Sequence, residues 1–198
     1  MVGKIEDIAL FDMDGTLCDY DSGLFKALEK IRSPDEPVFN PPLRDGTPDY
    51  IENRRNLISR SEEWWENLPR LKLGWDLLEV AKELEYNIMI LTQGPKSNPW
   101  AWSGKKKWID KNLGENFDIT ITRDKGLVYG KILVDDYPKY IDRWLTWRKR
   151  GIVIMPANES NKDYINSQVI RYDGTNLDDI YGVMEKAKER KPFEEISL

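Results

Sequence analysis

The sequence predicts a doubly wound α/β protein, a parallel sheet covered by helices, with a small helical cap inserted after the first strand. Three observations carry this expectation. Short uninterrupted apolar runs recur along the chain, each closing on polar or acidic residues. Amphipathic stretches of helical period lie between them. A proline-rich segment breaks that alternation once, early in the chain.

The first run, Ile8-Ala9-Leu10-Phe11, stops at Asp12, and the second, Ile88-Met89-Ile90-Leu91, stops at Thr92. Ile119-Thr120-Ile121-Thr122 precedes Arg123, and Ile132-Leu133-Val134 precedes Asp135-Asp136. Ile152-Val153-Ile154-Met155 ends at Pro156, and Val169-Ile170-Arg171-Tyr172 is a sixth candidate. Runs this short and this apolar fit strands buried on both faces, the habit of parallel sheets. Between them, residues 75–84 place Leu77, Leu78, Ala81 and Leu84 on one stripe. Residues 105–113 group Trp108, Ile109 and Leu113, with Gly114 as the stop. Residues 140–150 halt before Gly151, and 176–188 form the last helix. Reactive groups in such sheets gather beyond the carboxyl ends of the strands, where Asp12, Thr92, Arg123 and Asp135 fall.

Residues 19–74 interrupt the pattern. Pro34, Pro37, Pro41, Pro42 and Pro48 make the middle of this stretch a loop, flanked by helical segments at 22–31 and 49–65. Strand-to-helix connections usually take about 2–6 residues, so an insertion of this length reads as a helical cap over the sheet edge. The expected division is a core of 1–18 and 75–198 and a cap of 19–74.

Composition narrows the chemistry. The 198 residues are 40% hydrophobic and 33% charged, ordinary for a folded protein with its own core. The 30 basic against 35 acidic side chains leave a net charge of -5, which argues against binding extended nucleic acid. Cys18 is the one cysteine, so no internal disulfide forms. With no histidine in the chain, Ser-His-Asp and Cys-His catalysis and histidine metal sites are excluded. No apolar run reaches membrane-spanning length, and residues 1–7 lack a signal-peptide core, so a cytoplasmic protein is expected.

The strongest chemical signal is Asp12-Met13-Asp14-Gly15-Thr16 directly after the first strand. Two carboxylates two residues apart face one site if the chain turns there, and Gly15 gives it the freedom to turn. One can attack phosphorus while the other protonates the leaving oxygen and later activates water. Repulsion between them calls for a cation, and magnesium suits an all-oxygen set. The Thr92 hydroxyl and the backbone amides of Gln93-Gly94 could hold phosphate oxygens. Lys105, taken to open a helix, either places a cation beside that phosphate or belongs to a solvated face with Lys106 and Lys107. Asp135 and Asp136 either complete a metal shell or cap the helix before Pro138.

In this order on alternating strands, Asp12-Met13-Asp14-Gly15-Thr16, Thr92, Lys105 and Asp135-Asp136 resemble the four motifs of the haloacid dehalogenase superfamily. The resemblance implies a Rossmann-like three-layer sandwich with Asp12 as nucleophile and Asp14 as general acid and base. It implies phosphate held by Thr92 and Lys105, with Gln93 beside them, and Mg2+ held by Asp12, the Asp14 carbonyl and Asp135, with Asp136 adjoining. The second aspartate of the DxD pair points to a phosphatase, since the superfamily's dehalogenases lack that acid.

The helix from Lys105 through Trp108 and Lys111 to Gly114, the segment Thr122-Arg123-Asp124-Lys125 and the strand end Leu133-Val134-Asp135-Asp136-Tyr137-Pro138 resemble the 5'(3')-deoxyribonucleotidase group. Tyr137 stands where that group carries arginine, and Gln93-Gly94 stands where it often carries serine-proline. This implies a small-molecule phosphate monoester as substrate, a deoxynucleoside monophosphate. Arg123 would lie near the reaction, and Trp64 and Trp65 of the cap would enclose the base or else pack against the core. A sugar phosphate or a nucleic-acid end is the alternative substrate; a receiver-like phospho-acceptor and a non-catalytic binding protein are alternatives of another class. A monomer and a homodimer both stay open.

Overall fold

The computed structural model describes residues 7–43 and 46–190. The reading of the N-terminus therefore lies almost wholly outside the described residues, as do Arg44 and Asp45 of the cap loop. All six expected strands form: β1 (Ile8–Phe11), β2 (Asn87–Gln93), β3 (Ile119–Thr122), β4 (Ile132–Val134), β5 (Ile152–Pro156) and β6 (Val169–Tyr172). They build one 6-stranded sheet in the order β3-β2-β1-β4-β5-β6, and every pair in it is parallel.

Period-two alternation assigns side chains to the two faces of the sheet. Ala9 and Phe11 of β1, Ile132 and Val134 of β4 and Ile154 of β5 join one cluster. It includes Leu77, Leu78 and Ala81 of α4 (Lys72–Glu83), Trp108 and Ile109 of α5 (Pro99–Leu113), and Ile180 and Met184 of α7 (Leu177–Lys188). Leu10, Leu133, Val153 and Met155 point the other way, onto Ile141, Trp144 and Leu145 of α6 (Pro138–Leu145). Both faces are dry, which is why the strands read as unbroken apolar runs. Among the described residues, no helix is long and apolar enough to cross a membrane.

Helix boundaries differ from the expected ones in informative ways. The fourth helix begins at Lys72, inside the stretch assigned to the cap. The fifth begins at Pro99, whose fixed φ suits the first helical position, so Lys105 sits within the helix and does not open it. The segment 49–65 is broken in two, α2 (Asp49–Ile58) and α3 (Glu62–Glu66), where the Ser61 hydroxyl accepts from the Trp64 amide at 3.2 Å and starts the second piece. The sixth helix is Pro138–Leu145, starting earlier and ending sooner than residues 140–150.

The segment expected to form the cap carries α1 (Tyr20–Lys30), α2 and α3, and within it Leu24, Leu28 and Ile51 make a small buried cluster. Its third helix lies tightly on α5. Trp108 Nε1 donates to the Leu68 carbonyl at 2.8 Å in the buried seam, and Glu62 accepts from both Ser103 and Lys107. Gly104 makes this approach feasible: a Cβ there would lie 2.5 Å from Trp65 Cβ and 2.7 Å from the Glu62 carbonyl. At the edge of the same seam the Ser59 carbonyl accepts from Trp65 Nε1 and from Asn98 Nδ2, each at 2.7 Å.

Candidate active site

The sheet order reverses direction around β1, with β2 on one side and β4 on the other, which is where open α/β sheets hold their ligands. Asp12 leaves β1 here and its amide donates to the Val134 carbonyl at 2.8 Å. The chain then turns sharply. The amides of Leu17 and Cys18 donate to the Met13 carbonyl at 2.9 and 2.8 Å, and Gly15 takes φ +74°, a conformation that disfavours a side chain. A Cβ on Gly15 would also meet Asp136 Oδ2 at 2.5 Å, so the glycine lets the β1 loop pass close to the second acidic segment.

Two buried lysines divide the carboxylates between them. Lys105 Nζ donates to Asp14 Oδ2 at 2.5 Å, to Thr92 Oγ1 at 3.0 Å and to the Gln93 carbonyl at 2.8 Å. Lys125, in the short 3-10 turn Lys125–Leu127 after β3, places Nζ 2.6 Å from Asp12 Oδ1 and 2.6 Å from Asp135 Oδ2. Burial pulls the Lys125 ammonium down, but Asp12 and Asp135 outweigh it and hold the group above its ordinary value. The carboxylates respond in the opposite sense. Desolvation raises Asp14 despite the opposing charge of Lys105. Desolvation also lifts Asp135 to about 6 and, with Asp135 and Asp12 nearby, raises Asp136 well above the usual range.

Asp12, Asp135 and Asp136 each offer one ligand oxygen, all within 4.8 Å of one another. This is an all-oxygen, anionic set of the kind a hard divalent cation takes. The two neighbours are not equivalent. Asp135 is fully buried, with Oδ2 on Lys125 and Oδ1 accepting from the Tyr137 amide at 2.9 Å. Asp136 faces the open cleft and is steadied by Thr16 Oγ1 and Asn158 Nδ2. The cleft is about 540 Å3; Asp12, Asp14, Lys105 and Asp136 lie at its floor, and Tyr20, Trp65, Tyr137 and Tyr140 give it aromatic surface.

No family model matches the chain. In sequence it is 29% identical over 141 residues to the human mitochondrial 5'(3')-deoxyribonucleotidase, a match spanning 65% of this chain and 61% of that protein. It is 28% identical over 139 residues to the human cytosolic-type 5'(3')-deoxyribonucleotidase, across 64% of this chain and 69% of that one. The chain thus spans less than two thirds of the length of the mitochondrial relative it matches. In structure it aligns with a HAD hydrolase of family IA, variant 3, from Entamoeba histolytica, at TM-score 0.53 and 16% identity, across 93% of this chain and 100% of that one. The fold is that of the haloacid dehalogenase superfamily.

On that haloacid dehalogenase fold the sequence-selected residues converge, with one exception. Asp12, Asp14, Gln93, Lys105, Arg123, Asp136 and Trp65 line the cleft, while Thr92 and Asp135 are buried directly behind it and tied to its lysines. Trp64 does not line it. It turns into the cap, edge-on to Tyr20 at 5.3 Å and to Trp65 at 4.8 Å, with Nε1 on the Gly23 carbonyl at 3.4 Å. Consecutive helical residues point about 100° apart, so adjacent tryptophans seldom share a face. Lys125 was missed as a site residue, although it closes the Thr122-Arg123-Asp124-Lys125 segment. A lysine just past a strand end is a usable signal, but only pairing β2 with β3 brings it to Asp12. Tyr20 was missed as well: it begins the first cap helix and reaches back over Asp14.

Cys18 also belongs to this floor. Its thiol is fully buried, donates to Asp14 Oδ1 at 3.7 Å, and is pushed well above the ordinary value by burial and then by the Asp14 charge. A thiol held protonated and out of solvent is a poor nucleophile. At pH 8 its alkylation by iodoacetamide should be at least about 100-fold slower in the folded than in the denatured protein; mass spectrometry of timed samples reads this directly, and equal rates would contradict the burial.

Proposed function

We propose that this cleft is a magnesium-dependent phosphomonoesterase site that works through an aspartyl-phosphate on Asp12 and acts on (deoxy)nucleoside monophosphates. The observation that carries the reading is the pairing of unlike carboxyls at one floor. Asp12 is buried and held beside the Lys125 ammonium, while the Asp14 side chain keeps 30% exposure and is raised towards its protonated form. Two carboxyls held in such unlike surroundings are suited to the two roles of nucleophile and acid.

Asp12 attacks phosphorus in line, forming the Asp12 O–P bond as the bond to the substrate alkoxide breaks, and Asp14 gives its proton to that alkoxide. Water then attacks the phosphoryl phosphorus, Asp14 takes the water's proton, and the Asp12 carboxylate leaves, releasing inorganic phosphate. Lys105, fixed by Thr92 and the Gln93 carbonyl, sets the charge beside the phosphoryl oxygens and keeps Asp14 aimed at the cleft. Lys125 pairs with Asp12 at 2.6 Å and holds it in position, a role the resemblance had given to no residue. Asp12, Asp135 and Asp136 are the carboxylates placed to hold magnesium, with Asp135 also bound to Lys125, and the ion would supply charge neutralisation for the transferring group. The aromatic lining of Tyr20, Trp65, Tyr137 and Tyr140 supports a flat base in the leaving group, as does the similarity to the two human nucleotidases.

Hydrolysis of deoxynucleoside monophosphates should vanish when magnesium is chelated and return when it is added back. A panel of nucleoside monophosphates, sugar phosphates and a 5'-phosphorylated oligonucleotide measures the preference. Activity that survives chelation, or that ranks nucleotides last, would refute this reading.

A further inference from the structure

The rim of the cleft carries more positive charge than its floor needs. Arg55 of α2, Lys96 of the loop after β2, and Arg123 past the end of β3 come from three separate parts of the chain and line the same cleft. At the floor, Asp14 has Lys105 at 2.5 Å and Asp12 has Lys125 at 2.6 Å, while Asp136 is held by Thr16 Oγ1 and Asn158 Nδ2 and stands among the carboxylates placed for magnesium. Among the described residues, neither Arg55, Lys96 nor Arg123 takes part in an ion pair.

Their immediate neighbours do. Arg54 is bound twice by Glu36, at 2.6 and 2.9 Å, while adjacent Arg55 turns to the cleft. Asp124, next to Arg123, gives its carboxylate to Arg143 on α6 at 2.5 Å. Arg123 is instead held by a main-chain contact, Nη1 donating to the Gly94 carbonyl at 2.7 Å, which fixes its direction without neutralising it. What sets these three apart is their convergence: in a chain of net charge -5, cations from three separate segments line one cleft.

We infer that the preferred substrate carries a second phosphoryl group on its leaving alcohol, bound at the rim by Arg55, Lys96 and Arg123 while the first is cleaved at Asp12. This rests on reading the cleft as the phosphomonoester site. A second phosphate dianion is the ligand that arginines recognise by paired hydrogen bonds and that a rim lysine attracts. The aromatic lining that shares the cleft with these cations favours a nucleoside 3',5'-bisphosphate over a sugar bisphosphate as the source.

Calorimetry in magnesium buffer, on the Asp12→Asn protein so that nothing turns over, compares thymidine 3',5'-bisphosphate with thymidine 5'-monophosphate, and a hexose bisphosphate with its monophosphate. The nucleoside bisphosphate should bind about tenfold tighter or more, with the advantage shrinking as salt rises. Adding Arg55→Gln and Lys96→Gln to that background should bring the ratio of the two affinities close to one, and circular dichroism reports whether the protein is folded. A tighter hexose bisphosphate with no nucleoside advantage would assign the rim to sugar bisphosphates. Equal affinities for both pairs in the parent protein, or an advantage untouched by the rim substitutions, overturn the inference. If the wild-type protein hydrolyses no monoester yet shows the bisphosphate advantage, the catalytic reading fails and the rim subsite stands.

Discussion

Replacing Asp12 with asparagine should lower the proposed phosphate-ester hydrolysis by about 10,000-fold or more while the protein still folds. The amide has nearly the volume of the carboxylate but no anionic oxygen to attack phosphorus, so no phosphorylated enzyme accumulates in an acid quench. Packing should tolerate the change, because Lys125 keeps Asp135 at 2.6 Å as its remaining carboxylate partner. Initial rates with saturating magnesium, read beside a denaturation curve, separate lost chemistry from lost fold. Turnover within tenfold of wild type would remove Asp12 from the mechanism.

Replacing Lys125 with methionine should be the most damaging change to stability. Its ammonium is buried between Asp12 and Asp135, and methionine leaves two neighbouring buried carboxyls with no cation. Breaking a buried pair by removing one partner typically costs about 3–5 kcal/mol. The effect has a pH signature. Burial lifts Asp135 from 3.8 to about 6 even with Lys125 beside it, so the folded chain holds a proton through that window that the unfolded chain has released. This group's penalty is therefore absent below pH 3.8 and grows as pH rises through 6. Without the ammonium the folded value climbs further, so variant and wild type should converge in urea melts near pH 4 and separate towards pH 8. Parallel curves with a loss below about 1 kcal/mol would show the lysine to be dispensable.

Much of this fold was legible because burial on both faces leaves a plain trace in a strand. The runs at Ile8, Ile88, Ile132 and Ile152 contain no polar residue to soften the reading, and all of them pair in the sheet. The DMDGT turn was legible for a different reason: acidic residues at a strand end have few structural uses. Helix starts were harder. Pro99 sets the beginning of α5 six residues before Lys105, but the apolar stripe strengthens only from Trp108 onward, so the pattern pointed to the second half. The division of labour between the lysines was not legible. Lys105 and Lys125 are both flanked by residues that suit solvent, and both end up fully buried because each strand end delivers a carboxylate to it. Side-chain direction within the cap was equally hidden, since nothing in Trp64-Trp65 says which ring meets the ligand.

The way α3 is anchored to α5 bears on how the proposed reaction cycle would run. Trp108 is bolted to the Leu68 carbonyl, Trp65 is pressed on Gly104, and Glu62 is gripped by Ser103 and Lys107. A roof fastened along that line is expected to stay put rather than swing as a lid, with reactants entering past the cleft-lining segments that carry Arg55, Lys96 and Arg123. Slow hinge opening is then not what paces the cycle, and added viscogen should leave the maximal rate nearly flat.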